Sequence, residues 1–321
     1  MLYPSPWQRP SAVLAGALLL DVTCGEPPAA LHPVVWIGRL IAALEHRAPR
    51  TAVAQALYGA GLALAVPAVA AGAAYAGESV AASLVRRSGW PGVAAVALLL
   101  KPAVAARMLL DAGGEVERAL ARADLDAARA GLHALVSRDV SALGPGLLAA
   151  AAIESLGENV SDALVAPLLW YVVAGMPGAW AYRAINTADS MNGYRGAYEW
   201  LGKAAARLDD LANLLPARLT ALLIVAAAAL CGADATGSWR TLRRDAARTA
   251  SPNAGWPMAA LAGALGVRLE KVGHYVLNAE GAEPDAATIR RAREIVGVTI
   301  ALATIVAAML AAGGTIPRRL A

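Results

Sequence analysis

The chain has 321 residues, of which 58% are hydrophobic and only 16% are charged, whereas a soluble domain is about 45–50% apolar and about 25% charged. This balance excludes an ordinary soluble protein and indicates an integral membrane protein. The net charge of +4 does not indicate nucleic acid, because the basic residues are scattered through loops without interleaved aromatic residues. Basic cytoplasmic loops of a membrane protein explain them.

Apolar runs recur along the chain, and a run of about 20 residues can cross the lipid bilayer as a helix. The first run lacks the cleavage site of a signal peptide and is interpreted as an uncleaved span. Strict two-residue alternation, which a membrane barrel needs, is absent. The predicted fold class is therefore an all-α polytopic membrane protein, forming one domain over residues 1–321. The runs occupy residues 12–23, 53–76, 91–110, 160–182, 214–232 and 295–312.

Three polar stretches separate these runs. Residues 111–143 read as a small insert of two amphipathic helices, with a break near Ala123 and Asp124. Residues 183–213 are rich in Asn, Asp, Ser, Tyr and Arg. Residues 233–294 are basic, and Pro284 marks a loop there.

Three acidic residues are spaced to share one helix face. Glu154, Glu158 and Asp162 stand at i, i+4 and i+8, and like charges at this spacing destabilise a helix by about 0.2–0.5 kcal/mol per pair. A cation should therefore lie beside them, and Mg²⁺ prefers such oxygen ligands. The alternative is a solvated helix end, with Gly157 breaking the alignment.

Two further clusters border apolar runs. Residues 186–195 carry too many hydrogen-bonding groups for a buried segment and too few flexible residues for a plain linker. In the cluster at 209–218, Asp209 and Asn213 share a face if the segment is helical. Arg218 stands at the membrane boundary, where it either reaches the lipid headgroups or binds a phosphate.

The segment 251–257 precedes a short apolar run. Ser251 or Asn253 as a cap, with Pro257 in the first turn, predicts a helix start. Free N–H groups at a helix start suit a phosphate, although a purely structural cap is the alternative. His32 stands near the N-terminus, and a lone histidine is more often a satisfied hydrogen bonder than a ligand. No P-loop motif for a nucleotide phosphate occurs in the sequence.

Taken in order, these motifs resemble the CobD/CbiB family of cobalamin biosynthesis proteins. The resemblance runs from about Asp21 to beyond Tyr275. Glu26, where we expect Asp, and Arg195, where Lys is usual, are small departures that keep the charge. The matching segments are Gly25-Glu26-Pro27, His32-Pro33-Val34, Arg138-Asp139, Glu154-Ser155 to Glu158-Asn159 with Asp162, Asn186-Thr187 with Asp189-Ser190-Met191 and Gly193-Tyr194, Asp209-Asp210 with Asn213 and Pro216-Ala217-Arg218, and Ser251-Pro252-Asn253.

The resemblance implies an adenosylcobinamide-phosphate synthase, an amide-forming ligase. Such an enzyme attaches aminopropanol or aminopropanol phosphate to the free carboxylate of the corrinoid adenosylcobyric acid. The resemblance and the chemistry imply ATP and Mg²⁺, because a carboxylate needs activation before an amine can attack it. Both amines remain open at this point.

The same resemblance gives the candidate residues their roles. We expect acid–base or metal chemistry from Glu154, Glu158, Asp162, Asp209 and Asp210, with Asp189 as a further catalytic acid. Hydrogen bonds that position the substrates are expected from His32, Asn159, Asn186, Ser190, Tyr194 and Asn213. Phosphate contacts are expected from Arg218, Ser251 and Asn253.

The topology also carries a prediction. If every run crosses once, residues 154–162 and 186–194 end on opposite faces of the membrane, which one active site does not allow. Pro167, Gly175 and Pro177 therefore predict that the run 160–182 is broken or re-entrant. The predicted site faces the cytoplasm from the inner membrane of the cell. A corrinoid or anion transporter and a Mg²⁺-dependent membrane transferase acting on a diphosphate are the alternatives.

Overall fold

The computed structural model describes residues 10–85, 89–136, 138–193 and 198–313. Within these residues nearly all regular structure is helical, and one hairpin is the only β-sheet. In chain order the elements are α1 (Pro10–Cys24), a 3₁₀ turn (Ala29–Leu31), α2 (Pro33–Glu45), α3 (Ala52–Val85), α4 (Gly89–Leu100), a 3₁₀ turn (Lys101–Ala103), α5 (Ala106–Ala121), α6 (Leu125–Leu132), α7 (Pro145–Val160), a π-helical turn (Ser161–Val165), α8 (Ala166–Asn192), α9 (Lys203–Ala212), α10 (Leu214–Leu230), α11 (Ala235–Asp245), a 3₁₀ turn (Ala246–Arg248), α12 (Gly255–Leu265), β1 (Leu269–Lys271), β2 (Tyr275–Leu277) and α13 (Ala286–Gly313).

Three helical segments are long and apolar enough to cross a membrane. They are Ala52–Ala81, Pro145–Asn192 and Ala286–Gly313. The number rises to five if α4 with α5, and α9 with α10, each form one broken span. The predicted all-α membrane fold class with broken helices is therefore confirmed.

The first apolar run forms a short helix. Residues 12–23 are helical, but α1 has 15 residues and is about 22 Å long at about 1.5 Å per residue. A hydrocarbon core of about 30 Å needs a longer helix. Among the described residues α1 is therefore a shorter apolar helix and not one of the candidate spans, and the span at 12–23 stays a prediction.

The predicted break in the run 160–182 is confirmed. Ala174 and Gly175 leave the helical region inside α8, and Gly175 has a φ of +69°, which favours glycine. Pro177 follows two residues after Gly175, in the first turn of the resumed helix, where its missing N–H costs nothing. Further back, the π-helical turn at Ser161–Val165 interrupts the regular spacing.

The amphipathic insert begins earlier and ends earlier than predicted. The first helix, α5, starts at Ala106, and the second, α6, ends at Leu132 rather than near residue 143. The break between them falls where the sequence placed it. Ala123 has a φ of +55°, and the Asp124 side chain caps α6 by accepting from the Ala127 N–H at 2.9 Å.

The described residues form two compact units, each assembled from separate stretches of chain. Unit 1 comprises the described residues within Met1–Ala105, Ala166–Ala212 and Thr304–Ala321, and unit 2 those within Ala106–Val165 and Asn213–Ala303.

Unit 1 packs through small side chains. Buried alanines of α3, α8 and α9 meet Ile41 of α2 and Val66 of α3 in one core cluster. Small residues let helix backbones approach closely, which is typical of membrane helices. At Gly59 a Cβ atom would lie 2.0 Å from the Leu201 carbonyl oxygen, so only glycine allows the chain around Leu201 to reach α3.

Unit 2 is built around α12. Most of this helix is buried, and it packs against α7, α10 and α11. A Cβ at Gly263 would lie 2.4 Å from the Gly237 carbonyl oxygen, and one at Gly157 would lie 3.3 Å from Met258 Cα. Ser238 Oγ donates to the Ala260 carbonyl oxygen at 2.8 Å. Close helix contact therefore fixes where the polar side chains of α7 lie.

Candidate active site

The acidic stripe lies on α7 of unit 2. Pro145 stands in the first turn of α7, where its missing N–H costs nothing. The helix continues through Gly157, so Glu154 and Glu158 share one face of it. Asp162 instead lies in the π-helical turn, where the residue spacing of a regular α-helix no longer applies. Glu154 is buried, whereas Glu158 and Asp162 are half-buried.

Glu154 is held on one side only. Its Oε2 accepts from Arg138 Nη2 at 2.8 Å, and its side chain is 6% exposed. Its Oε1 is buried and accepts no hydrogen bond from the described residues. An unsatisfied buried acceptor costs about 1–3 kcal/mol. Such a group calls for a functional explanation.

Two neighbours on α7 are tied to the preceding loop. Ser155 Oγ donates to the Leu135 carbonyl oxygen at 2.8 Å, and Asn159 Nδ2 donates to Ser155 Oγ at 2.7 Å. Asn159, predicted to position substrate, therefore also helps to hold this face of α7 against the loop.

The β-hairpin supplies two residues that sequence reasoning missed. Lys271 on β1 and Tyr275 on β2 are register partners. Burial raises the pKa of Tyr275, and the charges of Glu154 and Glu158 raise it further. The charge of Lys271 also acts on Glu154. No local signal in the sequence marks Tyr275, because its position depends on the fold of unit 2.

The predicted turn at 251–257 is also in unit 2. Ser251 Oγ accepts from the Asn253 N–H at 3.2 Å and from the Ala254 N–H at 3.3 Å. The Asn253 side chain does not cap α12; its Oδ1 accepts from Arg218 Nη1 at 2.6 Å. Ser251 therefore orders the turn before α12, and Pro257 lies in the first turn as predicted.

Arg218 is anchored beside this turn. Its Nη2 donates to the Pro252 carbonyl oxygen at 3.2 Å, and its guanidinium lies 4.5 Å from the ring centre of Trp256. Asn213, the other predicted residue here, is 2% exposed at the start of α10. A positive charge thus stands at the start of α12.

In unit 1 the structure brings Asn186 and Asp209 together. Asn186 Nδ2 donates to Asp209 Oδ1 at 3.4 Å, and Arg183 Nη1 donates to Asn186 Oδ1 at 3.5 Å. Asp189 and Asp210 are half-buried, whereas Ser190 is exposed. Tyr194, predicted to bind substrate, lies outside the described residues.

His32 is fully bonded within unit 1. Its Nδ1 accepts from the Val34 N–H at 3.2 Å, which leaves Nε2 as the donor of the ring. Nε2 lies 2.9 Å from Glu26 Oε2 and donates to it. His32 is therefore the N-cap of α2, and a role in binding substrate stays a prediction.

A buried lysine completes that cluster. Lys101 Nζ lies 2.8 Å from Glu26 Oε2 and 3.2 Å from Asp21 Oδ1, and the side chains of Lys101 and Asp21 are 5% and 0% exposed. Lys101 interrupts an apolar run, and a charge in such a run is a signal for a structural or functional partner. Sequence reasoning passed over it.

Within the part of the chain that the structure describes, no three His, Cys, Asp or Glu side chains are grouped so that they could hold a metal ion. Mg²⁺ often needs only one or two carboxylates when it arrives on a substrate phosphate. The five acids predicted as metal ligands thus do not form a ready-made all-protein cage.

Comparison with known proteins decides the family. The sequence model of the family described as "CobD/Cbib protein" matches residues 14–301. The chain belongs to the CobD/Cbib family. Among CobD/Cbib relatives, the cobalamin biosynthesis protein CobD of Geobacter metallireducens is 45% identical over 80% of this chain and 80% of the relative. The protein of that name from Mycobacterium tuberculosis is 43% identical over 96% and 98%. The one from Dehalococcoides mccartyi is 42% identical over 81% and 84%.

No solved structure matches the chain. The CobD/Cbib match includes every motif on which the resemblance rested, from Gly25 to Asn253. The predicted family is therefore confirmed.

Proposed function

We propose that this chain forms an amide bond in cobalamin biosynthesis. It joins aminopropanol or aminopropanol phosphate to the free propionate carboxylate of adenosylcobyric acid. Membership of the CobD/Cbib family supports the role in cobalamin biosynthesis. The observation that best supports an enzyme is Glu154, a buried carboxylate with one oxygen fixed by Arg138 and the other unpaired.

The reaction sets three requirements for the residues of the site. The corrinoid carboxylate must be activated, and phosphoryl transfer from ATP does this most simply. The amine must lose a proton before it attacks, which calls for a base such as a carboxylate. The negative charge of phosphate must be balanced, and Arg218 at the start of α12 suits that task.

The residues fit Mg²⁺ that arrives on ATP better than a resident ion. Glu158 and Asp162 are half-buried and would complete its shell together with phosphate oxygens. When bound, the ion neutralises phosphate charge and orients the transfer. The acids of unit 1, Asp209 and Asp210 with Asp189, are proposed as a second group of acid–base or metal-binding side chains.

The proposed location is the inner membrane of the cell, with several spans and a site that faces the cytoplasm. The three candidate spans support a membrane location. Cobyric acid, ATP and the amine are cytoplasmic, and a bulky charged corrinoid does not cross the bilayer unaided.

One observation favours a transporter as the second candidate. The break at Ala174 and Gly175 in α8 is a feature that transporters use to bind ions at membrane depth. The two functions differ in chemistry, because a transporter moves a corrinoid without changing its mass.

Purified protein in detergent, without any gradient, tests the proposal. Adenosylcobyric acid, ATP and Mg²⁺ are supplied with aminopropanol or with aminopropanol phosphate, and the mass of the product is measured by mass spectrometry. We expect the mass of an amide with one amine. Glu158→Gln and Asp210→Asn should remain folded without forming it. Corrinoid uptake by vesicles with no new amide would contradict the proposal.

A further inference from the structure

The Glu154 carboxylate has one oxygen ready for a ligand. Its side chain is more than nine-tenths buried, and Arg138 engages Oε2 alone. Oε1 is also buried, yet it has no hydrogen-bond partner among the described residues. Buried carboxylate oxygens are normally paired. The unpaired one therefore points to a donor that comes from outside the chain.

Tyr275 presents a complementary group. Burial, together with the charges of Glu154 and Glu158, raises its pKa, so the phenol lies close to these two carboxylates. Its hydroxyl lies 3.8 Å from Met258 Sδ, and a thioether is a weak acceptor. The hydroxyl also interacts with Glu154 as a hydrogen-bond donor, and its oxygen can still accept a hydrogen bond from a ligand.

The fold of unit 2 fixes this pair. Gly157 lets α7 pack against α12 at Met258, and Tyr275 lies on the hairpin strand beside the same methionine. The hairpin turn uses Gly273 with a φ of +75°, a conformation that favours glycine. Both groups therefore stand on regular elements rather than on a loose loop.

We infer that Glu154 Oε1 and the Tyr275 hydroxyl bind the amino group of the amine substrate. This inference rests on the proposed function and extends it. A primary amine supplies N–H donors for Glu154 Oε1, and the phenol oxygen accepts a second N–H or donates to the nitrogen lone pair. The same amino group occurs in free aminopropanol and in its phosphate.

The chemistry balances with the acyl phosphate of the corrinoid, formed with a nucleoside triphosphate, as the other reactant. The ammonium gives one proton to Glu154 Oε1, which passes it to water. The nitrogen then attacks the acyl carbon, so that the C–N bond forms and the bond from that carbon to the phosphate oxygen breaks. The second proton leaves with the phosphate. Arg138 keeps Glu154 oriented throughout.

Tyr275→Phe tests the inference, with Tyr58→Phe as the matched control. Tyr58 lies in unit 1 and donates to the Leu44 carbonyl oxygen at 2.8 Å, so each change removes one bonded hydroxyl. KM is measured for the corrinoid and for each amine separately, with thermal unfolding as a check of folding. Tyr275→Phe should raise KM about tenfold for the amine that is used and leave KM for the corrinoid unchanged. Tyr58→Phe should change neither.

Three results would overturn the inference: equal shifts in both KM values, no shift in the KM of the amine, or a shift confined to the Mg²⁺ requirement. The last would place a cation at Oε1. If wild-type protein forms no amide with either amine, the proposed function itself fails. If it forms amide while Tyr275→Phe binds the amine normally, only this inference fails.

Discussion

Glu117 on α5 and Glu154 on α7, two buried glutamates of unit 2, differ in how completely they are paired. They are 6% and 4% exposed. Both oxygens of Glu117 are engaged, Oε1 by Arg290 Nε at 2.8 Å and Oε2 by Arg293 Nη1 at 2.6 Å. In Glu154, Arg138 engages Oε2, whereas Oε1 has no hydrogen-bond partner among the described residues. The two glutamates are therefore similarly buried but differ in whether both carboxylate oxygens have a hydrogen-bond partner.

This difference in pairing indicates that Glu117 is a structural cross-link and Glu154 a candidate site residue. Glu117 joins α5 to α13, and a Cβ at Gly114 would lie 2.8 Å from Arg293 Cζ, so the helix surface is shaped around the arginine. A fully paired buried carboxylate contributes to stability but offers no free atom to a substrate. A half-paired one is costly in the free protein and gains when a ligand arrives.

The largest expected effect comes from removing the negative charge at Glu154 or at Glu117. Glu154→Gln should lower turnover about 10²–10⁴-fold, the usual contribution of a positioned acid or base, without lowering Tm. Glu117→Gln should lower Tm, by a loss of about 1–3 kcal/mol in the free energy of unfolding, and keep turnover per folded molecule. Measuring Tm and turnover on both variants checks this. A lower Tm for Glu154→Gln with full activity would show that Glu154, like Glu117, is a structural group.

The buried ion cluster of unit 1 should behave like Glu117. Lys101→Met leaves Asp21, whose side chain is fully buried, without its cationic partner. Breaking a buried ion pair costs about 3–5 kcal/mol, so we expect a large fall in Tm. Lys203→Met is the control, because Lys203 is exposed and lies 5.1 Å from the Trp200 ring centre. It should change stability by less than about 0.5 kcal/mol. Equal Tm values for the two variants would count against a structural role of the cluster.

Asp245 is a third buried carboxylate of unit 2, and its contribution to stability should depend on pH. Burial acts to raise the pKa of Asp245, but hydrogen bonds from Arg244 and from the Asn278 N–H outweigh it and hold this pKa below its ordinary value. The charge therefore stabilises the fold above the unfolded pKa of about 3.9, and this stabilisation is lost as the pH falls through the lower, folded pKa.

Asp245→Asn should lower Tm at pH 7, by the loss of hydrogen bonds worth about 1.5–3 kcal/mol to a charged group. The difference from wild type should shrink below about pH 4. Asp126→Asn serves as the control, because the Asp126 side chain is 96% exposed. A difference in Tm that stays constant down to acid pH would show that the charge of Asp245 is not what stabilises the fold.

Local signals explain what the sequence could predict. Glycine and proline marked the break at Ala174 and Gly175, and Asp124 marked the start of α6. The motif order was enough for the family. The partner of Glu154 stands 16 residues away, and Tyr275 reaches it through a hairpin and a helix packing contact. No periodicity encodes such pairs. Lys101 could have been found, as a charge inside an apolar run.

The smallest expected effect comes from the turn before α12, where structural and binding roles overlap. Asn253 is 6% exposed, and its Oδ1 receives Arg218 Nη1. Asn253→Ala removes that acceptor, so Arg218 loses one of the contacts that orient it at the helix start.

If Arg218 holds a phosphate there, as we propose, KM for one phosphorylated substrate should rise about tenfold, which corresponds to one hydrogen bond. The two other hydrogen bonds of Arg218, to the carbonyl oxygens of Leu214 and Pro252, should keep the turn folded and hold Tm well above that of Lys101→Met. Parallel titrations of ATP and aminopropanol phosphate identify the phosphate concerned. Equal loss of Tm and activity, with both KM values unchanged, would instead place Asn253 with Glu117 among the purely structural groups.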